Sequence, residues 1–407
     1  MRMHQKSSNP LRLTEYVTQT GVPLTREEAF FLRENYGGPL SITPSFEGKG
    51  RYDITPQHYI GQITLPTGRT LTLSPRFGVG NLFYLLTYAH RLANFKPDAA
   101  WYEESSDLLA LLVKIFVENT EDLIRKGLYK AYFAREGNHK LVRGKVLLPA
   151  HLKENRWRKD RVYCQYAEAT ADVLENQILK FILALLASQT YRLENLKERL
   201  QVSYRYLDEV SWTPVQVEAL SRVVYNRLNE HYRTVLSLCE LFLRNLSIQS
   251  RPGGVKFFSF LLDTSRVFEQ FVAGILKEKL AGHPSLSLSS QESRWLDREA
   301  TRNFSPDLIL YRKDEPVLVL DTKYKAMEGG PDSEDLYQIL TYCHSLGVKE
   351  GMLLYPTRLD WRLETWQGVT IRAWGMDLQK GPARLEDDLK GFTRQILAGI
   401  SRSRDPS

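Results

Sequence analysis

A chain of 407 residues, 43% apolar and 25% charged, has the make-up of an ordinary soluble globular protein and is long enough for two or three domains. No stretch approaches the roughly 18 consecutive apolar residues of a membrane span, and the polar start Met1–Pro10 lacks a signal-peptide core, so neither a membrane nor an export role is expected. The net charge of +7 suits a nucleic-acid partner, and three scattered cysteines, Cys164, Cys239 and Cys343, argue against a C-x-x-C zinc or iron–sulfur site and for a reducing cytoplasm.

In chain order, residues 1–95 read as a β-rich module. Thr25 and Glu28 form a capping box for a helix that stops at Tyr36-Gly37-Gly38-Pro39. The glycine- and proline-rich stretch Arg33–Gly50 is expected to be an exposed finger or loop. Short strands follow at Arg51–Ile54, Tyr59–Leu65 and Arg69–Pro75, with a turn at Pro66-Thr67-Gly68, and suggest a small barrel-like module. From Val79 to Leu92 the pattern turns helical, and residues 96–251 read as a mainly helical middle domain. Its helices are expected at Asp107–Gly127, from a Thr170 cap onward, at Leu193–Val210 and at Ala219–Leu246. One β excursion is expected at Leu141–Leu148, with a turn at Arg143-Gly144. The densest basic run spans Lys153 to Arg161 around Trp157; it is either a phosphate-contacting surface with aromatic help or a solvated loop edge. Arg251-Pro252-Gly253-Gly254 is the clearest linker, residues 252–400 form a C-terminal α/β domain, and the tail Ser401–Ser407 should fray. The fold class is thus multidomain α+β.

The chemistry concentrates in the last third. Ser305-Pro306-Asp307 leads into an apolar strand, a charged turn follows at Arg312–Pro316, and a second apolar strand ends in Asp321-Thr322-Lys323. Side chains alternate along a strand, so Asp321 and Lys323 share a face, Thr322 points away, and a hairpin can lay Asp307 across from the pair. Two carboxylates and an ammonium at one point suit metal-assisted phosphodiester hydrolysis. Oxygen ligands hold Mg²⁺, the ion activates water, and the lysine adds positive charge near the developing oxyanion. These residues resemble the PD-(D/E)xK nuclease signature. Upstream, Val267, Phe268, Phe271, Val272, Ile275 and Leu276 follow a helical spacing behind a cap at Asp263 or Thr264. Glu269 lies beside that buried stripe, either as a surface glutamate or as a further carboxylate aimed at the metal. Downstream, Gln338 and Tyr342 sit four apart on one helix face and match the QxxxY element of RecB-like nucleases. Gly351–Pro356 and Val369–Trp374 read as later core strands, which completes the helix, strand, strand, helix, strand order that this fold requires.

No G-x-x-x-x-G-K-[ST] loop, G-x-S-x-G elbow or H-E-x-x-H pair is present. Taken whole, the chain resembles the McrC family, the endonuclease subunits of McrBC restriction systems that depend on 5-methylcytosine. The resemblance rests on Gly61-Gln62-Ile63, Leu73–Phe77, Asn81–Leu86, Gly127-Leu128-Tyr129, Arg143-Gly144-Lys145, Thr170–Lys180, Phe268–Val272, Asp307 and Asp321–Lys325. It implies a McrB-like AAA+ GTPase hexamer as partner, stimulated by the N-terminal module, and double-stranded DNA as substrate. It also implies Mg²⁺, for which Mn²⁺ can substitute, held by Asp307, Asp321, Glu269 and the Thr322 carbonyl. Lys323 would position the attacking water, with Gln338 and Tyr342 orienting the lysine or a DNA phosphate. Two other readings stand beside it: a stand-alone RecB-like repair nuclease, and a non-catalytic AAA+ activator on a degenerate nuclease scaffold.

Overall fold

Leu318, Val319 and Leu320 are consecutive and all buried, the mark of a strand covered on both faces. This strand, Glu315–Thr322, is central in a six-stranded mixed sheet ordered Leu286–Ser290, Leu308–Arg312, Glu315–Thr322, Glu350–Tyr355, Thr370–Gly375, Asp360–Glu364. The first three strands are antiparallel neighbours, the next two steps are parallel, and the last edge is antiparallel. A parallel step requires a crossover, and helix Ser333–Leu346 supplies it. Asp332 caps this helix through the Asp335 N–H, and Gly347 ends it with φ 67°. Its inner face, Ile339, Tyr342 and Cys343, packs on Val319, Leu353 and Ile371. The expected order of helix and strands is present, and a further strand of the same sheet, Leu286–Ser290, precedes the hairpin. The computed structural model describes residues 11–90, 108–188, 194–250, 256–325, 327, 329–380 and 382–402.

A five-stranded sheet joins strands from before residue 75 to a hairpin from the middle of the chain, in the order Leu11–Thr14, Thr70–Ser74, Tyr59–Thr64, Lys256–Asp263, Leu246–Ser250. Its middle pairing needs Gly61, at φ 132°, because a Cβ there would stand 2.0 Å from the Phe260 carbonyl oxygen. A three-stranded sheet, Gln19–Pro23, Arg51–Pro56 and Leu40–Pro44, stands beside it, so the front module is two open sheets and not a barrel. The stretch expected as a loop from Arg33 to Gly50 contains the strand Leu40–Pro44, whose alternate residues Leu40 and Ile42 are buried. The Thr25–Glu28 capping box forms as expected, in both directions.

Two compact units divide the chain: Met1–Leu109 with Asn245–Ser407, and Ala110–Arg244. The sequence reading set boundaries near 95 and 251, whereas strands on both sides of residue 251 pair as a hairpin in the five-stranded sheet. The linker Arg251–Gly254, the start Met1–Pro10 and the tail beyond Arg402 lie outside the described residues.

The second unit is less helical than expected. Strands Ala131–His139, Lys145–Val146 and Val162–Thr170 form an antiparallel sheet where one short excursion was foreseen. Thr170 ends the last of these strands and accepts from the Asp172 N–H at 3.0 Å, while the helix begins only at Leu174. Inside this unit Lys180 is buried, and its ammonium donates to the Leu207 and Val210 carbonyls at 2.9 and 2.7 Å. Trp157 of the basic run is 88% exposed, with the Arg156 guanidinium 5.6 Å from its ring centre. Among the described residues no helix is long and apolar enough to cross a membrane.

Candidate active site

The hairpin register decides where the acidic residues meet. Leu308 pairs with Leu320, so Asp307 enters level with Asp321 at the end of the central strand. Asp307 Oδ2 accepts two hydrogen bonds from Thr322, at 2.7 Å from its N–H and 2.6 Å from its hydroxyl. Thr322 therefore does not turn away as strand alternation suggested; its donors serve the site because the strand ends at this residue.

Lys323 leaves the strand with its N–H bonded to the Leu354 carbonyl at 2.7 Å, which fixes the backbone under the ammonium. Its Nζ stands 2.6 Å from Asp321 Oδ2 and 3.7 Å from Asp335 Oδ1. It donates to Gln338 Oε1 at 2.5 Å, and Gln338 Nε2 donates to the Tyr342 hydroxyl at 2.8 Å. The helical spacing of four thus works as expected. Tyr342 accepts from the amide nitrogen, which leaves the amide oxygen facing the lysine.

Glu269 comes from helix Thr264–Leu280, which begins with Asp263 accepting the Arg266 N–H at 3.0 Å. The link between Glu269 and the hairpin is Gln291, just past the strand Leu286–Ser290. Gln291 Nε2 donates to Glu269 Oε1 at 2.8 Å and to Asp307 Oδ1 at 3.1 Å, and its backbone N–H donates to the Asp307 carbonyl at 3.0 Å. Its φ of 53° is in the left-handed region, sparsely used by residues with a side chain. The sequence reading missed Gln291. The alternation Leu286-Ser287-Leu288-Ser289 would have revealed the strand that carries it. It also missed Asp335, a buried carboxylate that accepts from the Tyr355 hydroxyl at 2.6 Å and lies 2.8 Å from Lys325 Nζ.

Electrostatics tie these groups together. Burial pushes the Asp321 carboxyl up to about 6; the charge of Asp307 adds to the rise and Lys323 opposes it. Burial also raises Glu269 to about 7, again with Asp307 as the next cause. Burial would lower the Lys323 pKa, but the charge and hydrogen bond of Asp321, with the charges of Asp335 and Asp307, together outweigh it, so the net shift is upward and the ammonium persists.

Among the described residues no three of His, Cys, Asp and Glu close around a metal position. The donor chemistry nonetheless fits a hard dication. Glu269, Asp307 and Asp321 offer oxygen only, and a cation would offset the burial and the Asp307 charge that raise Glu269 and Asp321. The Gln291 amide, the Thr322 N–H and hydroxyl, and the Lys323 ammonium are hydrogen-bond or ion-pair donors to these oxygens. An open groove of about 660 Å³ adjoins Glu269 and Gln291, with Arg266 and Lys277 along its side.

The first unit is a mixed α/β unit with an acidic, lysine-bearing site at the end of its central strand, and the second is a separate mixed unit. Residues 54–356 match the family model described as McrBC 5-methylcytosine restriction system component. The chain belongs to that family. It is 22% identical over 307 residues to the Type IV methyl-directed restriction enzyme EcoKMcrBC of Escherichia coli (strain K12), a match covering 69% of this chain and 86% of that protein. Its fold resembles a chain in the refined half-complex of Thermococcus gammatolerans McrB AAA+ hexamers with bound McrC. That likeness has a TM-score of 0.61 and 15% identity, and covers 95% of this chain and 100% of the other.

Proposed function

We propose that this chain is the McrC-like, Mg²⁺-dependent endonuclease subunit of a modification-dependent restriction complex, with a PD-(D/E)xK site that cuts double-stranded DNA. The observation that carries this reading is the convergence of Glu269, Asp307 and Asp321 with Lys323, which is itself held by Gln338 and Tyr342. Carboxylates from a helix and a hairpin, joined by a lysine two residues past one of them, suit hydrolysis of a phosphodiester better than any other reaction.

Asp307, Asp321, Glu269 and the Thr322 carbonyl would hold the ion. When bound, Mg²⁺ or Mn²⁺ supplies charge against the phosphate and lowers the pKa of a coordinated water. The remaining work belongs to the side chains. Thr322 and Gln291 aim the Asp307 carboxylate, one on each oxygen. Lys323, kept charged by Asp321, presents its ammonium to the attacking water and the developing negative charge. Gln338 restricts that ammonium to one direction, which turns a flexible four-carbon stem into a placed charge. The groove beside Glu269 gives a DNA strand access to the site, with Arg266 and Lys277 available to its phosphates.

The partner in this reading is an AAA+ GTPase ring. The half-complex that contains the similar Thermococcus gammatolerans chain is one of McrB AAA+ hexamers with bound McrC, and membership of the McrBC component family supports the same pairing for this chain. The test is calorimetric titration of Mn²⁺ with duplex DNA present, for wild type and Asp321→Asn, followed by cleavage assays with and without the ring. Binding that the substitution removes, with cutting that requires the ring, is the expected result. Equal weak binding by both proteins would favour a non-catalytic activator, and cutting without a ring would favour a stand-alone nuclease.

A further inference from the structure

A second buried polar network lies apart from the carboxylates and centres on Glu15. Glu15 directly follows the strand Leu11–Thr14, and its N–H is bonded to the Ser74 carbonyl at 3.0 Å. Glu15 is fully buried, yet its oxygens are well used. Oε1 accepts from the Tyr324 hydroxyl at 2.8 Å and from the Arg76 N–H at 2.9 Å, and Oε2 accepts from the Thr264 hydroxyl at 3.1 Å. The next residue, Tyr16, has a φ of 58°, an outlying conformation for a bulky side chain. The corner is locked by the Tyr16 N–H on the Pro56 carbonyl at 2.8 Å. From there the Tyr16 hydroxyl reaches the Tyr324 carbonyl, also at 2.8 Å.

The partners of this corner are the neighbours of the site. Tyr324 directly follows Lys323. Thr264 is the first residue of the helix that carries Glu269. The Tyr324 ring lies 5.9 Å from Phe268, the residue before Glu269, and 6.1 Å from Phe77 of the front module. One short N-terminal segment therefore bonds both elements that deliver the site, across sequence separations of 249 and 309 residues. A backbone outlier held by several partners marks a place where geometry has been favoured over local comfort.

We propose that the Glu15–Tyr16 corner is a positioning device for the active site: it fixes the start of the Glu269 helix against the backbone that follows Lys323. The inference rests on the nuclease reading above. It assigns Glu15 and Tyr16 no contact with substrate; they act through Tyr324 and Thr264. Small displacements at a reacting centre are costly, so a loose corner lowers turnover more than it lowers DNA affinity.

The experiment uses the full-length chain with its ring partner, as Tyr16→Phe and Glu15→Gln. Tyr16→Phe keeps the ring and removes only the bond to the Tyr324 carbonyl. We expect kcat to fall about 10- to 100-fold with the KM for DNA and the melting temperature unchanged, and Mn²⁺ affinity to fall with it. Glu15→Gln keeps the volume and should act in the same direction; if it fails to fold, Tyr16→Phe still decides the matter. Unchanged kcat and Mn²⁺ affinity in Tyr16→Phe would overturn the positioning role while leaving the metal site standing. So would a loss of activity that only tracks the folded fraction. A wild type that neither binds Mn²⁺ nor cuts DNA would overturn the nuclease reading itself.

Discussion

Replacing Asp321 with asparagine should make the metal-free protein more resistant to unfolding at neutral pH. The Asp321 carboxyl is raised from 3.8 to about 6 in the folded protein, first by burial and then by Asp307. A carboxyl raised in this way holds its proton more tightly when folded. Its contribution favours folding below its unfolded value near 3.8 and is lost as pH rises through about 6. A shift of this size corresponds to up to about 3 kcal/mol. Asparagine keeps the shape and has no proton to lose, so this dependence should vanish between about pH 4 and pH 7. The Lys323 ammonium loses its 2.6 Å partner in the variant, but Asp335 at 3.7 Å and Gln338 remain, which limits the offsetting cost. The assay is scanning calorimetry across that range after chelation, with and without Mn²⁺. Wild type should gain stability from the ion, by about 2.7 kcal/mol at a hundredfold excess over Kd, and the variant should gain little. Parallel pH profiles for the two proteins, or equal stabilisation by Mn²⁺, would refute the reasoning.

Two other substitutions test separate links. Gln291→Met removes both hydrogen bonds that join Glu269 to Asp307, and should weaken Mn²⁺ binding about 10- to 100-fold by calorimetry; tighter binding would mean that the amide competes with the ion. Gly61→Ala places a Cβ 2.0 Å from the Phe260 carbonyl oxygen at a φ of 132°, and should cost about 3 kcal/mol or more, seen as a lowered melting temperature. A neutral outcome would show that the two strands can part there without loss.

What could be read from the sequence was what the chain states locally. The Thr25–Glu28 box, the Asp263 cap and the Gln338–Tyr342 pair each lie within one or two helical turns, and each formed as spacing suggested. The central strand was legible because a fully covered strand is an unbroken apolar run. The sheet of the second unit was not. Ala131–His139 has no buried residue, so no face alternates with another and there was no period to find. The pairing of Tyr59–Thr64 with Lys256–Asp263 left only a glycine as its trace, since nothing near either strand names a partner about 200 residues away. Gln291 escaped for a related reason: an amide has no charge to attract attention, and its role exists only after three elements meet.

The arrangement of the site explains why D-x-K alone is so weak a signal. Each charged group is aimed by a neighbour whose side chain carries no charge. Thr322 and Gln291 hold Asp307, Gln338 and Tyr342 hold the lysine, and the Thr264–Glu15 bond holds the start of the helix that carries Glu269. Carboxylates that resist ionising together cannot hold one another in place, so the orienting donors must come from elsewhere. They come from a strand end, a helix face and a segment near the N-terminus. The residues between Leu11 and Arg76 lie in the same compact unit as these elements and meet them through Glu15, which accepts from the Arg76 N–H and the Tyr324 hydroxyl. A chance Asp-x-Lys on a surface hairpin would have none of these supports, and it is the supports, more than the charges, that distinguish a site from a solvated strand end.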